Sequence, residues 1–375
     1  MSHIHVCLVS DQPIPNLTTI LQFEPDKVIL LATKDRSAES NRLEKVIRQK
    51  GVDVKTKEIK PYDMNNVISV CENLIKDYKN DEVTLNITGG TKIGTIGTYQ
   101  AFYTYGKPIF YVNTQDDEII KISPNEEKIP INVNMSIRDY LAAYGFNITN
   151  YVKEDRHIND RRHITEAIVQ LAIKRPELIG EINRELKDID KAVYPKKISL
   201  RNDRDMDLLC KKLVDYGLVE RSRQTTIEIP DEDAAKYLRG FWFEEYLYMT
   251  AKSLNVNEVK LNVEGQWDAS GKKSPRNEFD VLIAKRNRLF YISCKTANPD
   301  RYVDGTEESI GKDYLYELDA LGDRALGLFG KKMLASARPV TNDYVKKRAE
   351  VMKIRLVDGR NIATMKDNLR EWLTK

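Results

Sequence analysis

Along the first 145 residues, apolar runs of strand length alternate with segments of helical period. Residues 3–9, 27–32, 52–59, 82–87 and 108–113 read as five strands. Between them, 16–23, 37–50, 64–78 and 92–105 read as helices, the second stopped by Gly51. This alternation predicts a parallel α/β sheet of Rossmann-like type, with short runs at 119–122 and 129–133 as a closing hairpin. From Asn147 the chain turns polar, with a charge run from Lys153 to Arg162, and reads as a linker. Helical period returns at 164–173, at 176–189 with Pro176 in the first position, and at 203–216, stopped by Gly217. Runs at 218–221 and 225–229 then read as a two-stranded wing.

The last third begins with a long helix, 236–254, and a strand, 259–263. A Gly-, Ser- and Lys-containing stretch, 264–276, reads as a surface loop that could rim a substrate. Two β-rich runs, 279–284 and 289–292, flank the basic turn 285–288 and predict a hairpin. After an irregular segment, 297–311, come a helix at 312–321, a strand at 331–336, a helix at 342–352, a strand at 354–357 and a helix at 362–373. The pattern divides the chain into an α/β domain (1–145), a helical, winged-helix-like connector (146–235) and a second α/β domain (236–375).

With 375 residues, 41% of them hydrophobic and 31% charged, the chain can build two or three packed domains. Its longest apolar runs are strand-sized, which argues against membrane association, and the first residues lead straight into a strand without signal-peptide architecture. Cys7, Cys71, Cys210 and Cys294 are too scattered for a metal knuckle and suit a reduced, cytoplasmic protein. The four histidines all precede residue 164, which argues against a zinc site or a His-based centre near the hairpin. A net charge of +3 leaves nucleic-acid binding to local grooves.

The hairpin carries the most specific chemistry. Asp280 opens its first strand, Glu278 shares that strand face, and Lys295 ends the second strand after Cys294. A carboxylate holds a hard divalent ion through oxygen, and such an ion polarises a phosphate and activates water beside an ammonium. Together with Gly240-Phe241-Trp242-Phe243-Glu244 on the preceding helix, this arrangement resembles the PD-(D/E)xK restriction-endonuclease-like superfamily. The resemblance implies Glu244, Glu278 and Asp280 as ligands of Mg²⁺ or Mn²⁺, the Cys294 carbonyl as a further ligand, and Lys295 as the residue that orients water. Glu245 points about 100° away from Glu244 on the same helix. One position departs from the family: Ser293 stands where an acid is usual, and Glu278 is expected to take over its task. Basic residues Lys331, Lys332, Arg338, Lys346, Lys347 and Arg348 could line a nucleic-acid channel, and Tyr302, Tyr314 and Tyr316 could stack bases.

In the first domain, small polar residues follow the strands: Ser10-Asp11-Gln12 after the first, Thr33 after the second, Asn113-Thr114 after the fifth. Thr88-Gly89-Gly90-Thr91-Lys92 turns from the fourth strand into a helix, where glycines allow close approach and free N–H groups face a phosphate. It is not a Walker A loop, and no dinucleotide-binding glycine fingerprint follows the first strand. These loops resemble the CARF family, sensors of cyclic oligoadenylates. That resemblance implies a homodimer with two loops facing one symmetric pocket. The two resemblances together describe the ancillary nucleases of type III CRISPR systems, the Card and Can group. They imply activation by a cyclic oligoadenylate, tetra-adenylate first, and hydrolysis of DNA or RNA. Two other readings are open: a metal-independent HEPN-type ribonuclease using Arg156 and His163, and a ligand-gated transcription regulator acting through the winged-helix segment. The mixed charges of 203–215 favour a structural role for that segment.

Overall fold

A computed structural model describes residues 1–153, 156–188, 192–223, 225–268, 274–302 and 309–374. Its first sheet contains β1 (His3–Leu8), β2 (Lys27–Ala32), β3 (Asp53–Glu58), β4 (Glu82–Asn86), β5 (Ile109–Asn113), β6 (Glu118–Ser123) and β7 (Glu127–Pro130). The spatial order is β3-β2-β1-β4-β5-β6-β7, with β1 to β5 paired in parallel and β6 and β7 added antiparallel. β1 and β2 are buried almost throughout, as strands covered by helices on both faces must be. The order reverses between β1 and β4, so the loops after these two strands flank a ligand crevice.

The other strands are β8 (Phe146–Val152), β9 (Lys196–Ser199), β10 (Glu220–Arg223), β11 (Thr226–Ile229), β12 (Glu258–Trp267), β13 (Arg276–Lys285), β14 (Arg288–Lys295), β15 (Lys331–Ser336) and β16 (Ile354–Asp358). Six of them form a mixed sheet of order β16-β15-β14-β13-β12-β8. The expected linker at 147–150 is therefore part of an edge strand, β8, paired antiparallel with β12. Phe146 anchors it edge-on against Trp267 and Phe279, while exposed Thr149 and Asn150 give the strand its linker-like composition. The expected loop at 264–276 is largely strand as well: β12 runs to Trp267 and β13 begins at Arg276, and residues 269–273 lie outside the described ones.

The middle helices, Arg162–Lys174, Pro176–Glu185 and Arg204–Asp215, pack into one core with the second sheet, joining Ile168, Leu178 and Leu213 to Trp242, Phe243 and Val281. The wing has three strands, β10-β11-β9, rather than two. Acids of the third helix are engaged locally: Asp203 caps it and pairs with Arg175, and Asp207 pairs with Lys211 and Arg221.

The long helix expected at 236–254 is broken. Helix Glu232–Lys236 gives way to a π-type turn, Tyr237–Phe241, and then to helix Trp242–Lys252. A side chain at Gly240 would stand 3.0 Å from the Thr296 hydroxyl, which itself donates to the Arg239 carbonyl. The break thus seats the helix against the end of β14.

The β13–β14 turn is tight, with Arg286 and Asn287 both left-handed at φ 51° and 54°, as the twist of a two-residue hairpin favours. This turn docks onto the first domain. Buried Asn287 accepts from the Met135 N–H at 2.7 Å and donates to the Val133 carbonyl at 3.0 Å. Arg288 donates to the carbonyls of Thr114 and Gln115, and Arg286 pairs with Asp117. No helix among the described residues is long and apolar enough to cross a membrane.

Candidate metal centre and ligand cavities

β13 and β14 stay paired from the turn to Val281 and Ile292, where their ladder stops. Beyond it β13 follows β12 and β14 follows β15, so the strands part into a fork. Asp280 sits at the fork, its carboxylate accepting from the Cys294 N–H at 2.6 Å with the Ser293 hydroxyl 3.4 Å away. Glu244 reaches the same place from the first turn of helix Trp242–Lys252, and Glu278 from β13. One carboxylate oxygen from each of Glu244, Glu278 and Asp280 lies within 4.8 Å of the others.

Burial, then the charges of Asp280 and Glu278, hold the Glu244 carboxyl well above the usual carboxylate range. Burial raises Glu278 and Asp280 too, in Asp280 against the pull of Lys295 and the Cys294 N–H. One buried oxygen of Glu244 has no hydrogen-bond partner among the described residues. Mutually repelling carboxylates and an orphaned acceptor are what a hard divalent cation relieves, so the donor set fits such an ion. The Cys294 carbonyl shares the strand edge of its own N–H and so faces Asp280. The Cys294 thiol is pushed up by burial and stays protonated.

Lys295 extends from the end of β14 toward Glu317, 3.7 Å away, and lies 5.0 Å from the Tyr314 ring centre. Burial acts to lower its pKa, but the charges of Asp280 and Glu317 outweigh it and the net shift is upward, so Lys295 is an ammonium. Glu245, adjacent to Glu244, is fully buried and forms a two-armed pair with Arg161. Glu317 and Asn262, whose amide donates to Glu278, are components that sequence reasoning missed. Glu317 is one acid among many on an amphipathic helix, and nothing in the sequence singles it out.

The structure divides the expected ligand residues between two cavities. Ser10, Asp11, Thr33, Gly90 and Thr91 line one of about 190 Å³, with Arg36 and the largely exposed Tyr62 as unexpected neighbours. Gln12, Thr88, Asn113 and Thr114 line another of about 260 Å³, together with Tyr144, Asn287 and Leu328. Gly89 and Lys92 line neither, and Lys92 is exposed. Gly89 approaches β1 so closely that a side chain would stand 2.5 Å from the Leu8 carbonyl. Gly90 is left-handed at φ 89°, and Thr91 caps the following helix by accepting from the Gly94 N–H. Thr88 is committed to the loop, its hydroxyl donating to Asn86 and accepting from the Val112 N–H.

The other expected residues are dispersed. His163 is exposed on a groove beside Glu166 and Lys212, and the Arg156 side chain lies outside what the structure describes. Lys332 is neutralised by Asp319 and Asp323, and Arg348 lies over Tyr316.

Two families match this chain. The one described as the Card1 CARF domain matches residues 4–140, and the Card1-like endonuclease domain matches residues 231–375. The chain joins a Card1-type CARF domain to a Card1-like endonuclease domain. Can2 from Sulfobacillus thermosulfidooxidans, solved with cyclic tetra-adenylate, is similar in fold at a TM-score of 0.82 and 23% identity, covering 99% of each chain. Protein VC1899 from Vibrio cholerae has a TM-score of 0.87 at 22% identity, over 99% of this chain and 98% of that one. A type III CRISPR defence DNA nuclease activated by cyclic oligoadenylate matches 90% of this chain and 46% of its own, with a TM-score of 0.56 at 16% identity. No curated protein matches the chain.

Proposed function

We propose that this protein is a divalent-metal-dependent nuclease of type III CRISPR defence, switched on by a cyclic oligoadenylate, tetra-adenylate first. The observation that carries the reading is the convergence of Glu244, Glu278 and Asp280 at a strand fork, with Lys295 beside them, an arrangement similar to that of PD-(D/E)xK enzymes. Glu244, Glu278, Asp280 and the Cys294 carbonyl hold Mn²⁺ or Mg²⁺. When bound, that ion supplies polarisation of the phosphate and a more acidic water. Lys295 orients the attacking water and meets developing negative charge, and Glu317 and Tyr314 fix the ammonium's position.

In the CARF domain, Ser10, Asp11, Thr33, Gly90 and Thr91 surround the activator, with Gly89 and Lys92 on the same turn. Arg36 supplies charge for phosphate, and Tyr62 a face for adenine. Gln12, Thr88, Asn113 and Thr114 form the second part of the ligand site, where the nuclease domain touches the sensor. Gln12 accepts from the Tyr144 hydroxyl at 3.1 Å and from the Leu328 N–H at 3.0 Å, which supports a direct route from ligand to nuclease. A homodimer completes the pocket. Helix Lys92–Thr104 leaves Ile96 52% and Tyr103 59% exposed, an apolar face beside the glycine turn that suits a second copy.

The test is cleavage of single-stranded DNA, single-stranded RNA and supercoiled plasmid in Mn²⁺, with and without cyclic tetra-adenylate. Ligand-dependent cutting that disappears in EDTA and in Lys295→Ala is expected. Cutting that survives both would move the chemistry elsewhere, and tight ligand binding without cutting would leave a regulator.

A further inference from the structure

We propose that Asn262 is a positioning residue of the carboxylate centre, acting through its backbone and its amide. The proposal rests on the metal-centre reading above. Asn262 lies inside β12, directly opposite Asp280, since Leu261 pairs with Val281 and Val263 with Phe279 on either side of it. It is left-handed, at φ 51°, which a residue within a strand rarely is.

That conformation has a consequence for which way side chains face. Leu261 and Val263 are two apart and in a regular strand would share a face. Here Leu261 packs in the core beneath helix Trp242–Lys252, and Val263 packs in the core on the other side of the sheet. The partner strand turns over at the same point: Val281 and Ile283 lie in the first core, Phe279 in the second. Alternation therefore slips by one residue in both strands at the Asn262–Asp280 step. Before the slip, Phe279 faces away from helix Trp242–Lys252, so Glu278 faces toward it and toward Glu244. Had alternation continued unbroken from Val281 and Ile283, Glu278 would face the opposite side. The amide then fixes what the backbone has aimed, donating to a Glu278 oxygen.

Asparagine tolerates the left-handed region better than most residues, and its amide donates to carboxylates, so one residue serves both tasks. Two variants separate them. Asn262→Gly keeps the backbone freedom and removes the amide; Asn262→Ala removes the amide and penalises the conformation. Mn²⁺ affinity of the full chain is measured by calorimetry, with metal-free melting temperature alongside and Glu244→Gln as reference. Expected is a loss of roughly tenfold in Mn²⁺ affinity for Asn262→Gly at an unchanged melting temperature, and a larger loss for Asn262→Ala. If Asn262→Ala binds Mn²⁺ as the unaltered protein does while Glu244→Gln does not, the proposal is wrong and the centre stands. If the unaltered protein binds no Mn²⁺, the centre itself is wrong and the proposal falls with it. A melting temperature that drops in Asn262→Gly with Mn²⁺ affinity intact would make Asn262 a folding residue only and would also overturn the proposal.

Discussion

Glu244 and Glu245 are neighbours in sequence and opposites in energetics. Glu245 is buried with Arg161 as its partner, whereas Glu244 is held among like charges. Removing one member of a buried ion pair strands the other, at a cost of about 3 kcal/mol when, as with Arg161, the survivor keeps some access to water. Removing a carboxylate from a repelling cluster relieves strain. Glu245→Ala is therefore expected to lower the metal-free melting temperature, and Glu244→Gln to leave it unchanged or raise it. In Mn²⁺ the ranking changes, because Glu244→Gln loses the stabilisation that metal gives the unaltered protein. Melting curves of both variants with and without Mn²⁺ check this; a destabilised metal-free Glu244→Gln would contradict the account of the centre.

At the scale of elements, the β13–β14 hairpin joins the two domains. Its turn grips the CARF domain through Asn287 and Arg288, and its other end opens into the fork that holds Asp280 and Lys295. A paired hairpin is stiff, so a shift of the Thr114–Gln115 loop on ligand binding would be carried along it. Asn287→Ala removes two hydrogen bonds from a buried position and should loosen that grip. Stimulation of cutting by cyclic tetra-adenylate is expected to fall at least about fivefold, with Mn²⁺ affinity unchanged. Undiminished stimulation in a cleavage assay would place the coupling elsewhere, with the Gln12–Leu328 contact as the next route to test.

At the scale of the molecule, the exposed face of helix Lys92–Thr104 is where the proposed second copy would dock. Tyr99 stacks on Tyr103 at 5.4 Å between ring centres, extending the apolar surface beside Ile96. The double variant Ile96→Asp, Tyr103→Asp is expected to sediment as a monomer and to bind cyclic tetra-adenylate at least about tenfold more weakly, since in the proposed dimer each copy supplies half the pocket. Its Mn²⁺ affinity should persist, because the centre lies within one chain. A variant that stays dimeric would show that another face makes the contact.

Strand and helix periodicity determined the first sheet almost residue by residue, because buried parallel strands such as β1 and β2 read as continuous apolar runs between helical segments. The sequence also singled out the hairpin and the glycine turn, where side-chain chemistry is local. It could not show that residues 146–152 join the second sheet, since an edge strand with one polar face has a linker's composition. Nor could it divide the ligand loops between two cavities, which depends on where the nuclease domain rests against Gln12 and Thr114. The fork that brings Glu244 to Asp280, and the left-handed Asn262 that turns Glu278 toward them, arise from strand pairing across distant segments. Such pairing leaves no period in the chain, and only the folded sheet decides it.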